Sequence, residues 1–230
     1  MWIRFNISKG ELSSRNISLN IDENIERAVT VQRLSDEIYF IDTSDPKATI
    51  NNSAVGSSDL ILAKVPIGDP TQPDLPKELA ATSDASRIYV PLEKTHSVAV
   101  VDGIGFRNLD TNLETSGINP INLGAGATPS SIVISSDDRY AYIGDRNTGT
   151  IYILNIDPDS KDYHTHSNLN IPSSGAIRQL ALNSDGTRLF ATTNEKIIAF
   201  DVASGSDTQN QIIGSVTVNR VLHTFGELKN

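Results

Sequence analysis

The stretch Ser-Asp-Gly-Thr-Arg-Leu-Phe-Ala at residues 184–191 recurs twice earlier in the chain in variant form. The counterparts are Ser-Asp-Ala-Ser-Arg-Ile-Tyr-Val at residues 83–90 and Ser-Asp-Asp-Arg-Tyr-Ala-Tyr-Ile at residues 136–143. Each copy follows a short apolar run and precedes another, and the copies start 53 and 48 residues apart. A polar turn between apolar runs at such regular spacing indicates a repeated structural unit.

Each unit reads as a strand, a Ser-Asp turn, a second strand, a polar turn, a third strand and, after a variable stretch, a fourth strand. Asp and Gly suit the tight turn because both tolerate the backbone angles that it needs. Four-stranded units at this spacing, rich in β-branched and aromatic residues, are typical of propeller blades. The fourth strands are expected near residues 60–65, 121–123, 169–171 and 212–218. The sequence therefore predicts an all-β chain, a β-propeller of four-stranded antiparallel blades.

The repeat weakens towards the amino terminus. Residues 37–42 and 27–31 look like the third and second strands of an earlier blade, and residues 17–21 alternate in polarity as a strand does. A short helix over residues 22–29 is the alternative. We therefore divide the chain into an irregular segment with a partial first blade (1–59), the propeller blades (60–218) and a polar tail (219–230).

Residues 184–194, which end in Thr-Thr-Asn, resemble the YVTN family of β-propeller repeats. The Ser-Asp turns here lack the proline of that family's Ser-Pro-Asp-Gly turn. The resemblance implies a ring of about seven blades, whereas 230 residues supply about four. An incomplete arc or fragment of such a ring is the favoured interpretation. A ring completed by a second copy and a compact four-bladed ring are the alternatives, and self-association would cover open blade edges.

The amino-acid composition limits the classes of molecule that the chain is expected to bind. The chain has 28 acidic and 19 basic residues, a net charge of −9, which argues against binding to nucleic acid or an anionic membrane. No apolar run approaches the length of a transmembrane helix, and no signal peptide opens the chain. Cysteine is absent, which removes thiolate chemistry and favours an extracellular, cell-surface or periplasmic location over the cytoplasm.

Two stretches could be read as metal sites. His164 and His166 are two residues apart, so in a strand both side chains would point to one side, as two metal ligands do. No third ligand follows at the spacing of a metal-binding motif. Asp157 to Asp162 begins like a calcium loop, yet Lys161 stands at the fifth position and Asn168 at the twelfth. Solvated loop and turn residues are the simpler interpretation of both, and we predict no metal ion and no cofactor.

No catalytic motif is present, so we assign no catalytic residue. In propellers the turns between the second and third strands share one face with the blade-to-blade crossovers, and ligands usually sit on that face. The binding residues predicted there are Glu93, Lys94, His96, Asp145, Arg146, Asn147, Asn194, Glu195 and Lys196.

Three functional hypotheses follow. The first is a non-catalytic interaction module that binds a protein or a glycan, as part of a bacterial surface or exported protein. The second is a hydrolase like the lactonase propellers, which the repeat also resembles and which bring acids and histidines from several blades to the channel mouth. The third is an incomplete propeller without independent activity.

Overall fold

The computed structural model describes residues 16–22, 25–32, 36–42, 61–68, 73–112, 114, 116–171 and 175–218. These residues form β-strands and turns, and none of them is helical. Within the same ranges, nothing has the length and apolar character of a membrane-spanning helix. The predicted polar tail, residues 219–230, lies outside the described residues. The chain divides into two compact units, residues 1–121 and residues 122–230, each of which contains two sheets.

Unit 1 contains the first two sheets. The first pairs its strands in chain order: β1 (Asn16–Asp22), β2 (Ile25–Gln32), β3 (Glu37–Asp42) and β4 (Ile61–Pro66). The second consists of β5 (Ala80–Ala81), β6 (Arg87–Leu92), β7 (Ser97–Asp102) and β8 (Arg107–Leu109), and β9 (Ile121–Asn122) also pairs with β7. The helix considered over residues 22–29 does not form, because β2 occupies most of that stretch.

Unit 2 contains the third and fourth sheets. The third is β10 (Pro129–Ile134), β11 (Tyr140–Asp145), β12 (Thr150–Asn155) and β13 (His166–Asn170). The fourth is β14 (Gln179–Leu182), β15 (Arg188–Thr192), β16 (Lys196–Asp201) and β17 (Ile212–Thr217). All registered pairs in both sheets are antiparallel, so the predicted partial propeller of four-stranded blades is confirmed.

The outer strand of the second sheet differs from the prediction, which placed it at residues 121–123 alone. In the structure it is split between β8 and β9, both of which pair with β7. The Asp110 carboxylate accepts hydrogen bonds from the backbone N–H groups of Asn112 and Asn119, at 3.0 and 3.1 Å. Those bonds bring Asn112 and Asn119 to one carboxylate, and the chain returns to the sheet at β9.

Each unit has its own apolar core. In unit 1 side chains of β2 and β3 pack with those of β6 and β7, among them the fully buried Phe40, Ile88 and Val101. In unit 2 the third and fourth sheets meet through residues such as Tyr142 and Phe200. The branched and aromatic side chains that favour strands thus also supply the apolar area that holds neighbouring sheets together.

Candidate functional site

Two kinds of connection meet at one end of the sheets in unit 2: the turn between the second and third strands and the crossover that leads into a sheet. In the crossover from β13 to β14, the Ile177 N–H donates to the Asp145 carbonyl at 2.8 Å. The next residue, Arg178, donates its N–H to the Thr192 carbonyl at 2.8 Å. One crossover therefore joins the turn regions of both sheets, and we call this region of unit 2 its turn end.

Asp145 organises the turn of the third sheet. Its side chain is buried and accepts hydrogen bonds from the backbone N–H and the hydroxyl of Thr128, at 2.9 and 2.7 Å. The backbone N–H groups of Asn147 and Thr148 donate to it at 2.8 and 2.9 Å, and the Tyr152 hydroxyl donates at 3.2 Å. Five donors thus fix this carboxylate between the incoming crossover, the turn and the third strand.

The electrostatics of this cluster follow from those bonds. Burial alone would raise the pKa of Asp145, but the hydrogen bonds from Thr128, Asn147 and Thr148 outweigh it and lower the pKa below its usual value. Burial, together with the charge of Asp145 and the hydrogen bond to it, raises the pKa of Tyr152 to about 12. The carboxylate is ionised and the phenol is neutral at ordinary pH, an arrangement that holds the turn.

The other predicted binding residues fall into two groups that differ in their exposure to solvent. Lys94, Asn147, Asn194 and Glu195 are exposed, whereas Glu93, His96, Arg146 and Lys196 are partly buried. In unit 1 the Lys77 ammonium lies 2.8 Å from the Glu93 carboxylate. In unit 2 the Arg178 guanidinium donates to the Asn194 side-chain oxygen at 2.7 Å. The turn end of unit 2 therefore presents Asn147, Asn194 and Glu195 as exposed polar side chains, and the Arg178 guanidinium binds that of Asn194. Glu93, Lys94 and His96 lie in unit 1.

Unit 1 holds a buried pair of acids that the sequence analysis missed. Asp36 precedes β3 and Asp74 lies in the crossover from β4 to β5, and their exposed fractions are 1% and 0%. The Asp74 N–H donates to the Asp36 carboxylate at 2.7 Å, and the Thr95 N–H donates to the Asp74 carboxylate at 2.8 Å. The pair therefore ties the crossover to the turns of both sheets. Neither aspartate lies in one of the three repeated Ser-Asp turns at residues 83–84, 136–137 and 184–185.

A glycine, Gly68, lies directly against this pair. A Cβ on Gly68 would lie 2.6 Å from one carboxylate oxygen of Asp74 and 2.9 Å from one of Asp36. Such distances are shorter than real Cβ contacts, so a larger residue at position 68 would require the carboxylates to move.

The stretches considered as metal sites are occupied by local contacts. The Asp157 carboxylate accepts from the Asp159 N–H at 3.0 Å and from the Arg139 guanidinium at 3.1 Å. His164 stacks on Tyr163, and His166 lies edge-on to Tyr152. Among the residues that the structure describes, no group of three or more histidine, aspartate or glutamate side chains is placed to hold a metal ion.

Comparison with known proteins extends these observations. The family model described as "Lactonase, 7-bladed beta-propeller" matches residues 62–210, about two thirds of the chain. No curated protein sequence matches the chain. Hydrazine synthase from Kuenenia stuttgartiensis is a structural neighbour, with a TM-score of 0.60 and 17% identity over 84% of this chain and 46% of that one.

A second structural neighbour is the dihydro-heme d1 dehydrogenase NirN in complex with DHE. Its TM-score is 0.60 and its identity 12%, over 89% of this chain and 37% of that one. The chain thus spans less than half the length of either protein, and identities this low support the shared fold alone.

Proposed function

The chain belongs to the lactonase family of seven-bladed β-propellers, and on that architecture we propose that it works as a non-catalytic interaction module for a protein or a glycan. The observation that carries the proposal is that the polar side chains at the turn end of unit 2 have two different roles. The buried Asp145 is used in holding the turn, whereas Asn147, Asn194 and Glu195 are exposed on turns with defined hydrogen bonds. Exposed amides and a carboxylate on rigid turns suit recognition of hydroxyl and amide groups.

The experiment compares two triple variants. Asn147→Ala, Asn194→Ala and Glu195→Ala together remove the exposed polar groups of the turn end. Asp159→Ala, Lys161→Ala and Asp162→Ala form the matched control, because these residues are also exposed but lie in the loop between β12 and β13. Binding is measured on a glycan array and by capture from a lysate, followed by titration with the identified ligand.

We expect the turn variant to weaken binding at least about tenfold, which corresponds to 1.4 kcal/mol, and the control variant to bind as the wild type does. The proposal fails if the wild-type protein binds nothing in either screen. It also fails if the turn variant keeps full affinity, since the ligand then sits elsewhere.

The family match itself favours a second candidate, a lactone hydrolase. The match covers residues 62–210 and so includes the turn end of unit 2. The test is hydrolysis of five- and six-membered lactones, followed by acid release, with and without added divalent cations. Activity that co-purifies with the chain and disappears on thermal unfolding would support this candidate. A rate equal to that of buffer under every condition would reject it.

We extend the proposal to the type of repeat and assign the blades to the YVTN class. The support is residues 184–194, whose Ser-Asp-Gly turn, Arg-Leu-Phe strand and Thr-Asn end follow that pattern.

A further inference from the structure

The buried acid pair of unit 1 places two carboxylates where water scarcely reaches them. The exposed fractions of Asp36 and Asp74 are 1% and 0%. Removing a carboxylate from water is costly unless donors or a cation replace that water, so buried acids in proteins are hydrogen-bonded, paired or bound to a metal ion. The contacts of the pair therefore indicate what kind of group compensates it.

The described residues compensate Asp74 much less than they compensate Asp145, which accepts hydrogen bonds from five donors. The Asp74 carboxylate accepts one, from the Thr95 N–H to its Oδ1 atom at 2.8 Å. Its Oδ2 atom is buried and has no hydrogen-bond partner among the described residues, and no lysine, arginine or histidine among them forms an ion pair with it. A buried acceptor without a protein donor indicates a place where a water molecule or an ion binds.

Both carboxylates point towards the same glycine. A Cβ on Gly68 would lie 2.6 Å from Asp74 Oδ2 and 2.9 Å from Asp36 Oδ2, so the two oxygens converge on one side of this residue. Gly68 itself is only partly buried, and the pair therefore lies beside a stretch of backbone that solvent reaches. Converging carboxylate oxygens, one of them without a donor, are the ligands that a hard cation prefers.

We propose that Asp36 and Asp74 bind one calcium ion on the Gly68 side of the pair. A divalent cation balances two carboxylates, and calcium also accepts backbone carbonyl oxygens at flexible angles. Magnesium demands a regular octahedron and retains several water molecules, which suits two almost fully buried acids less well. The two ligands are 38 residues apart in the chain, so no metal-binding motif marks them in the sequence.

The proposed ion has a structural role. Asp36 precedes β3 of the first sheet and Asp74 lies in the crossover to the second, so an ion held by both ties the two sheets of unit 1 together. With only two carboxylates, the affinity should fall in the weak range of extracellular calcium modules, a Kd of about 0.1–1 mM. The site does not depend on ligand binding at the turn end of unit 2, and either proposal can fail without the other.

The first test is calorimetric titration of the full chain with calcium, after treatment with EDTA and exchange into metal-free buffer. We expect one ion per chain, and magnesium should bind at least about tenfold more weakly. Asp74→Asn should weaken calcium binding at least about tenfold, because a neutral amide replaces one of the two charged ligands. The matched control is Asp159→Asn, which removes the same charge from an exposed side chain in the loop between β12 and β13 and should bind as the wild type does.

The second test is thermal unfolding, because an ion that binds only the folded chain raises the midpoint. Calcium at about ten times its Kd should raise the wild-type midpoint by about 3–6 °C, and sodium chloride at equal ionic strength should not. The shift should disappear in Asp74→Asn and in Asp36→Asn. Hydrogen exchange of the wild type locates the site without a variant, since calcium should slow exchange of the Asp74 and Thr95 N–H groups that bond to the two carboxylates.

Several results would overturn the proposal. They are a wild-type chain that binds no calcium, a midpoint shift that sodium chloride reproduces, and magnesium binding as tight as that of calcium. Calcium binding that persists in both asparagine variants, or that is lost in Asp159→Asn, would place the ion elsewhere. Calcium that leaves exchange of the Asp74 and Thr95 N–H groups unchanged would do the same.

Discussion

Single residues at the sheet ends fix the positions at which this chain turns. Gly186 has a φ of +72°, and a Cβ added there would overlap the Ser136 hydroxyl of the neighbouring sheet. Gly205 has nearly the same φ, +75°, but a Cβ added there would meet nothing within 4 Å. The two glycines share a backbone requirement and differ only in the space around them.

Alanine at the two positions separates backbone strain from steric overlap. Both substitutions should lower the free energy of unfolding by about 1–2 kcal/mol, because an L-residue resists the left-handed conformation. Gly186→Ala should cost more than Gly205→Ala, since Ser136 must also move. Urea unfolding of the two variants gives the comparison, and equal losses would show that Ser136 yields freely.

Asp145 carries the clearest electrostatic expectation. Asp145→Asn removes a charged acceptor and leaves some of five donors poorly paired, so we expect a loss of about 2 kcal/mol at neutral pH. Asp159→Asn, an exposed residue with the same change in charge, should leave the stability nearly unchanged. Because folding lowers the pKa of Asp145, its stabilisation is present above the unfolded carboxyl pKa of about 3.9.

That stabilisation is lost as the pH falls through the lowered folded pKa. The wild-type advantage over Asp145→Asn should therefore persist at neutral pH and decline only in acid. Unfolding of both proteins at several pH values checks the sign, and an advantage that grew in acid would contradict it.

At the scale of the element, the repeated Ser-Asp turns share one hydrogen-bonding scheme. The residue before the serine is Thr82, Ser135 or Asn183, and its side chain accepts the N–H five residues later, at 3.1, 2.9 and 2.8 Å. The third residue after it has a positive φ in all three turns, although only the last is glycine; the residues are Ala85, Asp138 and Gly186. The side-chain acceptor and the backbone shape recur together, while the residue types vary.

Ser135→Ala tests this scheme in the third sheet. The Ser135 hydroxyl donates to Asp137 at 2.6 Å and accepts from the N–H groups of Arg139 and Tyr140. Its removal should lower the free energy of unfolding by about 1–2 kcal/mol. The adjacent exposed Ser136→Ala should change it by less than about 0.5 kcal/mol, and thermal unfolding of both variants distinguishes them.

The sequence predicted these elements well where a local pattern determined them. The strands that flank each Ser-Asp turn were recognisable because apolar residues repeat on both sides of it. The side-chain acceptor at Thr82, Ser135 and Asn183 was not recognisable, because three different residue types accept the equivalent hydrogen bond. Asp36 and Asp74 were missed for a different reason: residues far apart in the sequence meet only after the sheets have packed. The exposure of the turn side chains also depended on packing, because Asp145 is buried whereas Asn147, two residues later, is exposed.

At the scale of the whole molecule, each unit encloses a core that belongs to it. The core of unit 2 lies between its two sheets and includes Ile151, Ile153, Leu189 and Phe200. A chain of residues 122–230 should therefore fold alone. We expect a β-type circular dichroism spectrum and a single cooperative thermal transition, and a spectrum without ordered strands would contradict it.

The order of the strands has a consequence for how fast the chain folds. In the path of every described sheet, each strand pairs with the strand before it and the strand after it in the sequence. Folding rates fall as contacting residues become more distant along the chain. A meander needs only successive hairpins, so this all-β chain should fold faster than a sandwich of similar length whose strands must find remote partners. Its assembly should proceed from one hairpin to the next, as in other repeat proteins.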